Sequence, residues 1–242
     1  MSSALLASRL DRYVHLDQAN HPYLSWQLEQ FAPVLGQRIL EIGCGVGGIA
    51  KLLGERERYV GVEIEAELAE YASERFASQP ECSFVHADVA TLPADTVAAL
   101  QAEQFDTIVS INVLEHIEDD RSALQHMASL LEPGGRLALL VPAHAWLYGK
   151  YDQLDGHFRR YSKASLGAAL MGSGFEPTSM RYFNSAGAVG WWLQYKLLRR
   201  EVHGQGSFGA MNAILPLLRR AEALIPPPFG LSVVALCRRI AE

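Results

Sequence analysis

Short apolar runs alternate with longer amphipathic stretches along this chain, and the alternation predicts strands and helices in turn. Residues 38–42, 58–64, 83–89, 104–112, 136–141, 176–183 and 231–239 read as strands, rich in Val, Ile, Leu, Phe and Ala. Between them, 49–54, 65–77, 121–131 and 163–171 carry helical spacing; in 65–77 the apolar positions are Leu68, Ala69, Ala72 and Phe76. Ser162 suits an N-cap, and Gly172 and Gly174 a stop. Pro133-Gly134-Gly135 reads as a turn. Ahead of the first strand, 2–35 predicts two helical pieces parted at His21-Pro22, one with Ala4, Leu5, Leu6, Leu10, Tyr13 and Val14 on its face, the other with Trp26, Leu28 and Phe31. Before the last strand lie two further helices, 185–200 and 210–224, around a glycine-rich break at 204–209; Pro226-Pro227-Pro228 then forces an extended return. Strands that alternate with helices predict an α/β fold with a mostly parallel sheet.

Length and charge narrow the function. At 242 residues one domain with insertions suffices. A net charge of −6 argues against a broad nucleic-acid face. Cys44, Cys82 and Cys237 are too far apart for a metal-ligand cluster and odd in number for a disulfide framework, so no metal is expected. The first residues meet charges too soon for a signal peptide, and no apolar run reaches transmembrane length, so a cytoplasmic location is expected.

The chemistry concentrates at 38–48, RILEIGCGVGG, where an apolar strand carrying Glu41 runs into Gly43, Gly45, Gly47 and Gly48. Glycines allow positive φ and a close approach of ligand to main chain. The same residues fit G-x-G-x-x-G, so a dinucleotide is the competing ligand. A carboxylate at Glu41 sits poorly beside a pyrophosphate and well beside a cation. Glu63, ending the second strand beside the first turn, suits two ribose hydroxyls. The pattern E-x-G-x-G-x-G resembles the first motif of the class I S-adenosylmethionine-dependent methyltransferases, of the small-molecule type. His86-Ala87-Asp88-Val89 and Val113-Leu114-Glu115-His116 resemble two further family segments. The likeness is firm over about 35–176 and looser beyond.

That resemblance implies a Rossmann-like, doubly wound, seven-stranded, mostly parallel sheet closed by a late antiparallel pair, in one methyltransferase domain over 1–242. Its parts would be N-terminal cap helices at 1–35, a cofactor-binding core at 36–183, a helical insertion at 184–229 and a last strand at 230–242. S-adenosyl-L-methionine is the implied cofactor, held by Glu41, Gly43, Cys44, Gly45, Gly47, Glu63 and Ile64. Asp88 would meet the adenine amine and the Val89 amide a ring nitrogen, with Asn112 and Val113 lining the pocket; capping a nearby helix is the competing role for Asp88. His116 reads either as a general base or, more commonly, as a loop histidine bonded to backbone.

Open α/β sheets bind substrates beyond the carboxyl ends of their strands, which places the methyl acceptor on the loop 144–161. His144 and His157 are candidate bases there. One of Arg159 and Arg160 would bind an anionic acceptor group, and Arg160 and Tyr161 join the two histidines as the expected catalytic residues. The alternative is that Asp152 and Asp155 pair with the arginines and only hold the loop shut. The expected partner is a small organic acceptor; a quinone or lipid-linked acceptor at a membrane surface, and a non-catalytic S-adenosylmethionine-binding protein, stay open. Trp191, Trp192 and Leu193 near Lys196, Arg199 and Arg200 suit packing on the core or in a homodimer first, and a lid or membrane contact second.

Overall fold

A computed structural model describes residues 9–197 and 206–240. Its sheet is built from β1 (Arg38–Ile42), β2 (Arg58–Glu63), β3 (Cys82–His86), β4 (Phe105–Ile111), β5 (Leu131–Pro142), β6 (Phe175–Phe183) and β7 (Ser232–Arg239). The order is β3-β2-β1-β4-β5-β7-β6. β3 through β5 pair in parallel, whereas β7 runs antiparallel to both β5 and β6. Nine helices flank it among the described residues: α1 (Arg9–Glu29), α2 (Gly48–Leu53), α3 (Ala66–Arg75), α4 (Ala94–Ala102), α5 (Asp120–Leu130), α6 (Lys150–Leu154), α7 (Lys163–Leu170), α8 (Ser185–Trp191) and α9 (Gly206–Leu224). This is the doubly wound seven-stranded fold that the strand–helix alternation and the glycine turn lead one to expect.

Both faces of the sheet are buried, as the near-continuous apolar strands require. Leu40, Val60, Ile108, Leu137, Leu139 and Val233 pack with Leu124, Met127 and Leu166 on one face. Ile39, Tyr59, Val109, Ala138, Leu140 and Val234 pack with Trp26, Phe31, Ile49 and Leu215 on the other.

Three local readings change. The helix before the core is continuous through Pro22. Proline costs one backbone donor, but Tyr23 and Trp26 anchor the turn that follows by packing on Phe183. The Pro133-Gly134-Gly135 turn lies inside β5, as an irregularity where Phe105 faces Leu131 and Thr107 faces Arg136; Gly134 takes a φ of 80° there. Past α8 the chain continues as a π-helix, Trp192–Leu197. Leu198, Arg199, Arg200 and Gly204, and the Lys196 side chain, lie outside the described residues, as do Ala4, Leu5 and Leu6 of the expected first helical face.

The placement of β7 decides where the insertion goes. Phe183, ending β6, pairs with Ser232, opening β7, and Ser232 also pairs with Pro142 at the end of β5. The chain between β6 and β7 therefore leaves and re-enters at the carboxyl edge of the sheet. α8 stands over the edge where β1, β2 and β4 also end.

Candidate active site

The site begins at the β1–α2 turn. Gly43, Gly45 and Gly47 take φ values of 77°, 53° and 78°, which L side chains rarely adopt. The turn is closed from β2: Glu63 accepts from the Gly45 N–H at 2.7 Å and the Glu65 N–H at 3.1 Å. Gly45 keeps its open side toward the cavity, where an added Cβ would meet only the Tyr13 ring at 3.6 Å.

A cavity of about 610 Å³ extends from this turn. Gly43, Gly45, Glu63 and Ile64 form one end, and Asn112 and Val113 follow at the end of β4. His116, His157, Arg160 and Tyr151 form the far wall, with Asn184, Trp191 and Tyr195 above. One stripe of α1 closes the side: Arg9, Tyr13, Leu16, Asn20, Tyr23 and Gln27, spaced three and four apart as a single helix face demands. Asn112 takes a φ of 53° as the chain turns out of β4.

The far wall is a closed ionic group. Asp152, fully buried, accepts from Arg160 Nε at 2.7 Å and from His157 Nδ1 at 3.0 Å. Its other oxygen accepts from the Gly149 N–H at 2.9 Å. Asp155 lies 3.3 Å from His157 Nε2. Burial alone would lower the His157 pKa, but the hydrogen bonds to Asp152 and Asp155, with the Glu115 charge, carry it to about 9. The Arg160 guanidinium sits 4.5 Å over the Trp191 ring, and Trp191 meets Tyr151 and Tyr195 at 5.1 and 4.4 Å. The wall combines a flat aromatic face with a compensated charge cluster.

Glu115 was not singled out in the sequence. It is fully buried, and neither carboxylate oxygen has a hydrogen-bond partner among the described residues. Burial raises its pKa to about 7 against the pull of the His157 and Arg160 charges. Glu115, His116 and His157 bring potential ligand atoms within 4.8 Å of one another, a grouping that linear spacing does not reveal. Both His157 ring nitrogens already face carboxylates, which makes the group an acid–base cluster in this arrangement. The aromatic wall was missed as well; the run of Tyr151, Trp191 and Tyr195 carried the signal, but only the fold joins the loop to the insertion.

Several expected site residues stand elsewhere. Glu41 is buried beneath the turn and accepts from the Tyr59 hydroxyl. Burial raises its pKa to about 8, so it is mainly neutral near pH 7 and the charge complementarity expected of it belongs to Glu63 at the cavity. Cys44 points away, toward Gly61, where an added Cβ would lie 2.6 Å from its sulfur. Gly47 packs on Phe76 and Phe84. Asp88 ties down its own turn, accepting from the Ala90 N–H at 2.8 Å and from Thr91 at 3.4 Å, and it caps no helix. Neither it nor Val89, which is in the core, lies on the cavity wall.

Two of the four expected catalytic residues also turn away. His144 stacks on Tyr182 at 4.8 Å and is absent from the wall; burial lowers its pKa. Tyr161 is in the core and donates to Asp120 at 2.8 Å. Of the arginines, Arg160 faces the cavity, while Arg159 pairs outward with Asp120 at 3.0 Å and with the Glu118 carbonyl at 2.6 Å. His157 and Arg160 do reach the cavity, but at its cationic pKa His157 cannot serve as the base expected of it.

The donor set fits the cofactor that the turn implies. Each Glu63 oxygen is used once by a backbone amide, which leaves acceptor capacity for two ribose hydroxyls. A Cβ at Gly43 would lie 2.3 Å from Val113 Cγ2, so the close approach of the two segments needs the glycine.

Residues 40–137 match the family model described as a methyltransferase domain. The chain is 40% identical over 115 residues to an uncharacterized methyltransferase of Mycobacterium tuberculosis, covering 47% of this chain and 55% of that protein. It is 30% identical over 123 residues to a ubiquinone biosynthesis O-methyltransferase of Aeromonas salmonicida, covering 50% of each. The chain thus spans about half the length of these curated relatives. The crystal structure of an S-adenosylmethionine-dependent methyltransferase from Mesorhizobium loti superposes with a TM-score of 0.59 at 16% identity, over 88% of this chain and 98% of that one. Among the described residues no helix is long and apolar enough to cross a membrane. Residues 40–137 thus match a methyltransferase domain, and the sheet order and the glycine turn closed by Glu63 give the chain the fold of the S-adenosylmethionine-dependent methyltransferases, with a cofactor end that fits S-adenosylmethionine.

Proposed function

We propose that the protein transfers a methyl group to a small, flat organic acceptor bound between the glycine turn and the aromatic wall. The observation that carries this is the continuity of one cavity from Gly43 and Glu63 to Arg160, Trp191 and Tyr195. The cofactor supplies an activated methyl on a sulfonium; the chain's task is to align an acceptor with it and keep water out. Gly43, Gly45, Glu63, Ile64, Asn112 and Val113 hold the cofactor end. Tyr151, Trp191 and Tyr195 suit a ring face. Arg160 offers hydrogen bonds to an acceptor oxygen, although Asp152 already balances its charge, so it acts as a donor more than as an uncompensated cation.

A second reading, an acceptor with an apolar tail such as a quinone, is favoured by one observation. Trp192, Leu193 and Leu197 are exposed just beyond Trp191, at the cavity's upper rim. The name of the Aeromonas relative points the same way for that protein.

Calorimetry with S-adenosylmethionine, S-adenosylhomocysteine and NAD tests the cofactor, and binding of NAD alone would overturn the reading. Formation of S-adenosylhomocysteine with 3,4-dihydroxybenzoate and with a short-tailed hydroxyquinol compares the two acceptor classes.

A further inference from the structure

The far wall holds two histidines whose surroundings push them in opposite directions. Their rings meet edge to face, with centroids 4.5 Å apart. His157 is clasped by Asp152 at 3.0 Å and Asp155 at 3.3 Å, one carboxylate per ring nitrogen. Both nitrogens must carry protons to donate to both, so this ring is an imidazolium. His116 stands beside it on the cavity wall, at the end of β4 where Asn112 and Val113 turn out toward the cofactor end.

We infer that His116, not His144 or His157, is the base of this site, and that the acceptor group it serves is a hydroxyl. The inference rests on the methyl-transfer reading above and adds the atom that is methylated. In the step, the acceptor O–H bond breaks and its proton passes to the His116 ring nitrogen that does not meet the Gly156 backbone. The electron pair stays on oxygen, which forms the new O–C bond as the carbon–sulfur bond gives its pair to sulfur. An amine acceptor would lack this need, because a neutral amine is nucleophilic with its own lone pair.

The groups around His116, with the Glu115 carboxylate within 4.8 Å, pull in both directions. Burial and the His157 cation lower its pKa; Asp155 and the Gly156 carbonyl raise it; Arg9, across the cavity on α1, lowers it again, and the sum is downward. A ring with a lowered pKa next to one with a raised pKa is a division into base and charge carrier, in which environment alone separates two like groups. Glu115 lines the same cavity, with its carboxylate within 4.8 Å of both rings and no hydrogen-bond partner among the described residues, and it raises the His157 pKa. His157 and Asp152 thus act as positioning residues.

The decisive experiment is an NMR titration of the full chain labelled with ¹³C-histidine, assigned with His116→Gln and His157→Gln. His116 should titrate below the ordinary histidine value and His157 well above it, and His157→Gln should raise the His116 pKa. The reverse order would overturn the inference whatever the acceptor is. In parallel, S-adenosylhomocysteine formation is followed with 3,4-dihydroxybenzoate, a short-tailed hydroxyquinol and aniline as probes. His116→Gln should lose about 100-fold in turnover while calorimetry shows cofactor affinity within about twofold of wild type. The wild-type rate should rise with pH along a limb that the variant lacks. Full turnover in His116→Gln, methylation confined to aniline, or turnover abolished by a chelator and restored by magnesium would each overturn it. Absence of S-adenosylmethionine binding in the wild type would instead fail the methyl-transfer reading itself.

Discussion

His157 donates from Nδ1 to Asp152 Oδ1 at 3.0 Å, and Asp152, wholly buried, is shared with Arg160 at 2.7 Å. One carboxylate thus holds two cations of the cavity wall. Removing its charge leaves buried Arg160 without its carboxylate and His157 with Asp155 alone, and breaking a buried pair costs about 3–5 kcal/mol. Asp152→Asn should therefore lower unfolding free energy in urea by that order, and lower the His157 pKa in the same sample.

The same contact sets a pH window. The folded pKa of His157 lies near 9, above its ordinary 6.5. A raised folded pKa gives stability that is complete below the unfolded value and lost as pH climbs to the folded one. The contribution of His157 should therefore be complete below pH 6.5 and fall away up to about pH 9. Urea midpoints across that range should decline in the wild type and less steeply in His157→Gln.

Glu41 gives a second, separable slope. Its folded pKa near 8 exceeds the ordinary 4.5, with burial as the main cause. The sign is the same: stability is complete below about 4.5 and is lost as pH rises to about 8. Glu41→Gln keeps an acceptor for the Tyr59 hydroxyl and removes the titration. Its thermal midpoint should exceed the wild type's by an amount that grows through this window and levels off above it; a constant difference would show that Glu41 does not titrate there.

At the cofactor end, Glu63→Ala removes the acceptor for two hydroxyls and the clasp on the Gly45 and Glu65 amides. Cofactor binding by calorimetry should weaken by on the order of 2 kcal/mol, the scale of a hydrogen bond to a charged group. Wild-type affinity in the variant would remove Glu63 from the site.

Gly61→Ala probes the floor of the turn. A methyl there would lie 2.6 Å from Cys44 Sγ and 2.8 Å from Phe84 Cδ1, both closely packed. Overpacking of this kind costs about 1–3 kcal/mol. Pairing the change with Cys44→Gly should return most of the loss in a double-mutant cycle, because the sulfur is the nearest obstacle.

The order of strands and helices and the glycine turn were legible in the sequence, because each rests on local chemistry; the cofactor came from the resemblance that the turn's motif carries. Apolar runs must be buried, and positive φ at Gly43, Gly45 and Gly47 needs glycine wherever the rest of the chain goes. Glu63 was legible for a similar reason: the last residue of a second parallel strand falls beside the first turn. The acceptor wall was legible only as a region. Side-chain direction there is set by partners remote in sequence: Asp120 draws Tyr161 and Arg159 away, and Tyr182 holds His144 off the wall. Residue type alone cannot give a histidine its charge. Two carboxylates from α6 and the turn after it raise the His157 pKa, and burial together with the His157 charge lowers that of His116. Glu41 shows the same division from the other side. Its position in the motif came from the sequence, but its burial against Tyr59, and hence its loss of charge, came from the packing of two neighbouring strands, because desolvation is a property of surroundings that only the folded chain supplies.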